Sequence, residues 1–507
     1  MNSTPETHSL SPARRALADD LGALLGVLCC AAVVLLALQV ATPVPLRAAG
    51  YAVDRLGAAL VLLISGIGLV CFRYAARCLL GHPRRGRFLV LLAGAVLSAA
   101  SLACASNLVL LVASWAATSL CLHGLLTFCR ERSESRRPAL KKFLISRIGD
   151  VALIAGVLLI ARDWGTLDLR DFVSAAATTE DTASLRLPVL CIVIAALTKS
   201  AQFPFHSWLP ETMEVPTPVS ALMHAGIINA GGVLLLRMAP AIARVPEAWI
   251  LLSLAGSVTL VIGMVSMWAQ VKVKRTLAWS TIAQMGFMMV QCGLLAVPAA
   301  FLHVVGHGCC KAWSFLRSGE VVGEPAPAPS PVRALALVSG GIASAVPAVV
   351  LCSRWAGVDL LERPGELALA AILSMAVGQL WSAALAPVLR SVRGVAVRGP
   401  LVLVGGWFAV LVAFSLYRAS ASFLAPASAP IAEPSGWAAW LAASFPVAAC
   451  LALTVLHALL PVLHRRHWGR ALHVHALHGF YLGAIADRLV DAVTLRVPPS
   501  NTGARHA

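Results

Sequence analysis

Uninterrupted apolar runs, each of roughly 17 to 25 residues, recur along the chain and are separated by short polar segments. A helix needs about 20 such residues to cross the hydrocarbon core of a bilayer, at about 1.5 Å of rise per residue. The runs predict about 14 membrane spans, at 21–41, 53–73, 88–105, 107–129, 143–162, 187–205, 217–238, 248–268, 276–297, 299–317, 333–352, 367–389, 400–418 and 436–460. Barrel strands would show shorter segments of alternating polarity, and lipid leaves no partner for unpaired backbone. The expected fold class is therefore an all-α polytopic membrane protein.

Composition agrees, with 59% hydrophobic residues, 12% charged residues and a mean hydropathy of +0.82. The net charge of +17 would suit nucleic acid if it were clustered on a soluble face, so its placement decides the matter. Arg14–Arg15, Arg84–Arg87, the run from Arg130 to Lys142, Lys272 to Arg275, Arg390 to Arg398 and Arg465 to Arg470 fall in alternate loops. The loops between them hold the acidic clusters Asp163 to Asp181 and Asp359 to Glu366. This is the positive-inside bias, and it predicts that both termini are cytoplasmic. About 20 mostly polar residues without a small-residue cleavage motif precede the first run, so that run is expected to remain as a span. The 13 cysteines lie almost entirely in apolar runs without a CxxC pair, which reads as small buried hydrophobes.

Two stretches interrupt this pattern with ionisable residues, which inside a bilayer are costly and mark ion or proton paths. The first runs from Leu197 to His224. Lys199 is followed by Pro204, Pro210, Pro216 and Pro218, so its helix must break or end shortly beyond it. A broken helix followed by one carrying His224 is the pattern of a transporter's discontinuous segment. Glu214 is the candidate carboxylate to oppose Lys199, for which snorkelling to the interface is the alternative reading. The second stretch carries His303, His307 and Lys311 at intervals of four, within about 80° on one helical face. Histidine relays protons near neutral pH, and lysine can store one. A zinc site is the competing reading, but Val-Val-Gly between the histidines lacks a metalloprotease glutamate and no third ligand is evident.

Lys274 is either a span anchor or a member of this polar axis. Arg147 and Asp150 form an opposite-charge pair at i, i+3 that serves structure as easily as function. His464, His467, His473, His475 and His478 lie among arginines after the last span, the place of a solvated or lipid-facing tail. Ser339-Gly-Gly341 and Pro347 predict a second broken span within 333–352, and with it two internal repeats at roughly 88–238 and 248–389 of the inverted kind found in transporters. Around them stand a tail at 1–20, helices at 21–87 and 400–460, and a second tail at 461–507.

Thr198-Lys-Ser-Ala-Gln-Phe-Pro-Phe-His-Ser-Trp-Leu-Pro210, Pro216-Thr-Pro-Val-Ser-Ala-Leu-Met-His224, Val273-Lys-Arg-Thr-Leu-Ala-Trp-Ser-Thr281 and the His303/His307/Lys311 stripe resemble the antiporter-like proton-pumping subunits of respiratory complex I and of multisubunit Na+/H+ antiporters. The likeness covers about residues 50–320. It implies an antiporter-like core of two inverted repeats with discontinuous helices, and a pathway through Lys199, His224, Lys274, His303, His307 and Lys311. In complex I subunits a Trp-Glu pair supplies the carboxylate for the pump lysine. Here the match is Trp115-Ala116, so that pairing is lost. Lys141 to Asp150, Met213 to Gly232 and Leu477 to Arg488 further resemble the DabB-type membrane subunits of two-component inorganic carbon transporters.

That resemblance implies a multi-pass subunit of a bacterial inner membrane, without catalysis or cofactor of its own. Its implied partner is a DabA-like, zinc-containing subunit related to β-carbonic anhydrases, in which H+ or Na+ flow drives CO2 hydration to bicarbonate. The alternative function is a proton-pumping subunit of an NADH-quinone oxidoreductase or a cation/proton antiporter complex.

Overall fold

The computed structural model describes residues 12–42, 44–128, 133–320, 330–385, 392–425 and 431–494. Long helices dominate it. After α1 (Pro12–Ala41) a hairpin of β1 (Leu46–Ala48) and β2 (Tyr51–Val53) leads into α2 (Arg55–Cys78), α3 (Arg85–Cys104), α4 (Leu108–Leu126) and α5 (Ser133–Trp164). The short α6 (Leu169–Thr178) precedes α7 (Thr182–Lys199), and a non-helical stretch connects α7 to α8 (Thr217–Ala225), α9 (Ala230–Arg237) and α10 (Ala239–Ala243). Then come α11 (Pro246–Ala269), α12 (Val273–Gly293), α13 (Val297–Leu316), α14 (Pro331–Ala356), α15 (Pro364–Leu385), α16 (Val392–Leu424) and α17 (Gly436–Leu463). Two amphipathic helices, α18 (His467–Leu477) and α19 (Leu482–Thr494), complete the described chain.

Each of the predicted spans overlaps one of these helices, with α8 and α9 together forming one; the span at 187–205 continues past the end of α7 at Lys199, and the ends of those at 107–129 and 367–389 lie outside the described residues. Among the described residues, 12 helices are long and apolar enough to cross a membrane. To these α12 and α13 add 21 and 20 residues, and they are the helices that carry Lys274 and the His/Lys stripe. The span α8–α9 is the most enclosed, with 94% of its most apolar window buried, whereas α1 and α16 are only 11% buried. Broken backbone therefore sits at the centre, where neighbouring protein rather than lipid satisfies it.

A continuous apolar core joins α2 to α5 with α7 to α13, and a smaller cluster of Ala345, Val349, Val377, Val410 and Phe414 holds α14 to α16 together. The start of α2 is tied to the end of α9 by a largely enclosed ion pair. Asp54 caps α2 through Gly57 N (2.7 Å), and its other oxygen meets Arg237 Nη1 at the end of α9 (2.5 Å).

Two expectations change. The span at 333–352 is not broken: α14 runs through Ser339, Gly341 and Pro347. Gly341 serves close packing, since a Cβ there would lie 2.8 Å from Gly378 Cα and 2.9 Å from Trp381 Cβ on α15. The region after the last described span also forms two docked helices. Ala476, Leu477 and Phe480 pack on the apolar cluster of Leu260, Val265 and Ala269, and Lys141 holds Asp487 at 2.7 Å and both Glu211 oxygens at 2.7 and 2.8 Å. The first 11 residues, the basic residues Arg130 to Arg132 and Arg390, and the end of the tail from 495 lie outside the described residues.

Candidate ion pathway

Helix α7 ends at Lys199 because the chain turns at once, with Ala201 in the left-handed region (φ 49°) and Pro204 unable to continue the helix. The lysine is thus presented at a helix end inside the bundle. Its Nζ donates to Trp115 O (3.0 Å) and Ser119 Oγ (3.0 Å) on α4 and lies 4.4 Å from the centre of the Trp115 ring. The indole N–H of the same tryptophan donates to Asp150 Oδ1 (3.1 Å), whose other oxygen meets Arg147 Nη2 (2.7 Å). Asp150 can approach because α5 and α7 touch through Gly149, where any Cβ would collide with the Thr198 hydroxyl.

Trp115 thus stands between the Lys199 amine and the Asp150–Arg147 ion pair, which approaches Lys199 without touching it. Glu214, the expected counter-charge of Lys199, is instead exposed and acts on Lys274 at the start of α12. A further cation, Lys142, is buried on α5 and donates to Ser119 O (3.0 Å).

The second group forms where α8 stops. Its last turn carries His224, buried and stacked on Phe315 with ring centres 4.3 Å apart, and the helix breaks at Gly226. His307 Nε2 donates to the His224 carbonyl (3.2 Å), while His303 Nδ1 meets Gln291 Oε1 (2.8 Å). The two imidazoles are 5.8 Å apart. Lys311 Nζ donates to Ser280 Oγ (2.7 Å) and Leu277 O (3.4 Å) on α12. His224, His303, His307 and Lys311 are therefore brought together: spacing by four puts the last three along one side of α13, and the break of α8 at Gly226, inside a span expected to be continuous, sets the His224 carbonyl against His307. Lys274 stays apart at the start of α12, where Glu214 acts on it.

Along the chain from Gln202 to His224, Gln202 Oε1, both His206 nitrogens, Ser207 Oγ, Ser220 Oγ and both His224 nitrogens are buried without a hydrogen-bond partner among the described residues. Beyond His303 and Lys311 opens a cavity of about 680 Å³. Its far wall carries Glu366, which accepts from Tyr417 OH (3.0 Å), and both residues also line an adjoining cavity of about 570 Å³.

Asp150 and Lys142 are the residues that sequence reasoning undervalued. Their spacing of eight on one helix, which places them within about 80° of each other, is the signal that groups them.

A family model described as NADH:quinone oxidoreductase/Mrp antiporter, transmembrane, matches residues 105–392, which include every residue of both groups. A probable inorganic carbon transporter subunit DabB2 of Halothiobacillus neapolitanus is 37% identical over 346 residues, covering 67% of this chain and 62% of that protein. Probable inorganic carbon transporter subunit DabB of Hydrogenovibrio crunogenus is 38% identical over 268 residues, covering 50% of this chain and 51% of that one. The chain thus spans about half to three fifths of the length of these relatives. In fold it is similar to a chain of the Mrp complex from Dietzia sp., with a TM-score of 0.61, 24% identity, and coverage of 97% of this chain and 58% of that one.

Proposed function

Because this chain belongs to the NADH:quinone oxidoreductase/Mrp antiporter transmembrane family, we propose that it is the ion-conducting membrane subunit of an inorganic carbon accumulation complex. In this reading H+ or Na+ passes down its gradient through the chain. The flow drives CO2 hydration to bicarbonate in a soluble, zinc-containing partner related to β-carbonic anhydrases. The substrate class follows the names of the relatives at 37 and 38% identity.

One observation carries the ion pathway. Lys199 and Lys311, from different parts of the chain, have the same kind of partners: one backbone carbonyl and one serine hydroxyl each. A buried lysine fixed in a direct ion pair would be locked in its charged form, because removing the charge would strand its partner. Neutral oxygens accept from an ammonium yet leave a neutral amine tolerable, so each lysine can load and unload a proton. Asp150 biases the first group through Trp115 without touching the amine. The imidazoles of His224, His303 and His307 continue the series of proton-binding atoms. The buried polar atoms without protein partners from Gln202 to His224 call for water, the usual partner of such atoms.

The test is complementation in a bacterium without carbonic anhydrase, grown in ambient air, with this chain expressed alone or together with its genomic neighbour. The expected result is rescue that needs both proteins and is abolished by Lys199→Ala at unchanged membrane level. Failure with both proteins present in the membrane refutes the reading and favours the subunit of a redox pump or cation antiporter.

A further inference from the structure

Lys142 has no part in the pathway drawn above, yet it is among the most enclosed cations of the chain. It is 3% exposed, and its amine has a single acceptor among the described residues, the Ser119 carbonyl at 3.0 Å. The hydroxyl of that same serine accepts from Lys199 at 3.0 Å. Two buried amines from different helices, α5 and α7, thus converge on the two oxygens of one residue of α4. Neither touches a carboxylate among the described residues: Asp150 instead accepts from Trp115 and lies in an ion pair with Arg147.

A buried charge needs a counter-charge or a full set of hydrogen bonds. One carbonyl gives Lys142 neither. The neighbouring Lys141 shows the contrast, with Glu211 and Asp487 both in contact with its amine. A structural lysine at position 142 would be expected to have such partners. A lysine that gives up its proton would not.

We propose that Lys142 is a proton-carrying residue that exchanges with Lys199 across Ser119, so that the two lysines hold one proton between them. Like charges this close repel, and loading one amine unloads the other. Each amine ends a flexible four-carbon stem, so either can swing from one serine oxygen to the other and present its lone pair to its partner's N–H. The proton moves from one nitrogen to the other, and no net charge is added to the site. Lys142 lies two helical turns nearer than Asp150 to the start of α5, the end that follows the basic run from Arg130. It therefore connects Lys199 to the side of the membrane that bears the basic loops.

This inference rests on the ion-driven reading of the preceding subsection, and the experiment separates the two. In the rescue strain, expressing both proteins, uptake of labelled inorganic carbon is measured per unit of chain in the membrane for wild type, Lys142→Met and Lys142→Arg. Melting of each purified chain is followed in parallel. Methionine fills the space without a proton site, and arginine keeps the charge but does not release it.

The expected result is at least a tenfold loss in both variants, with Lys142→Met melting no lower than wild type. A structural cation would be replaced by arginine, and a structural stem by methionine. Uptake within twofold of wild type in either variant therefore overturns the proton-carrying role while leaving the ion-driven reading in place. Absence of uptake in wild type overturns both.

Discussion

A single methyl group added at Gly286 tests how the second group of the pathway is held. Helices α11 and α12 are in backbone contact through Gly256, Gly263, Gly286 and Gly293. A Cβ at position 286 would lie 2.6 Å from Leu260 N and 2.7 Å from Gly256 O, where ordinary contact begins at 3.4 Å. The obstacle is backbone, which cannot swing aside as a side chain does, so the helices must part by about 0.8 Å. Overpacking of this kind costs about 1–3 kcal/mol.

Helix α12 also carries Ser280 and Gln291, whose bonds to Lys311 and His303 are 2.7 and 2.8 Å long. A shift near 0.8 Å is large enough to stretch such bonds toward the limit of hydrogen bonding, at about 3.5 Å. Gly286→Ala is therefore expected to lower both the melting temperature of the purified chain and its uptake activity. Gly306→Ala is the control. It sits on α13 with nothing within 4 Å of its added Cβ, and alanine in a helix is favoured over glycine by about 0.5–1 kcal/mol. The variants are compared by melting in detergent and by labelled carbon uptake. Equal melting of Gly286→Ala and wild type would refute the reasoning.

Asp150→Asn keeps the shape and the Trp115 hydrogen bond but removes the charge acting on Lys199, so uptake should fall about tenfold or more at unchanged membrane level, roughly 1.4 kcal/mol of lost driving interaction. Unchanged uptake would show that the carboxylate has no part in the pathway. Asp54→Ala removes the cap of α2 and the counter-charge of the half-buried Arg237, an expected loss of about 3 kcal/mol that is read as a lower melting temperature. Adding Arg237→Leu should recover part of it, and a double variant no better than the single would sink the pairing argument.

The succession of spans was legible because a bilayer imposes one requirement on every crossing segment, a run of apolar residues of fixed length, and that requirement is local. The His303, His307 and Lys311 stripe was legible for the same reason, since spacing by four on one helix is a local property. Breaks were harder to read. The prolines after Lys199 do end α7, but Ser339-Gly-Gly341 looks alike in sequence and lies inside a continuous α14. Local sequence cannot tell a glycine that loosens a helix from one that lets two helices touch.

The carboxylate near Lys199 was likewise beyond it. Glu214 is nearer along the chain, yet Asp150, on another helix, is the one that acts on Lys199, because Gly149 lets α5 meet α7 and Trp115 bridges the residues. The same packing buries Lys142, which in sequence is the last member of a basic loop. Sequence by itself determined how many helices cross, roughly where they cross and which faces are polar. Tertiary structure decided which charges meet, because a buried charge takes its character from neighbours on other helices, and those are set by the packing of the whole bundle.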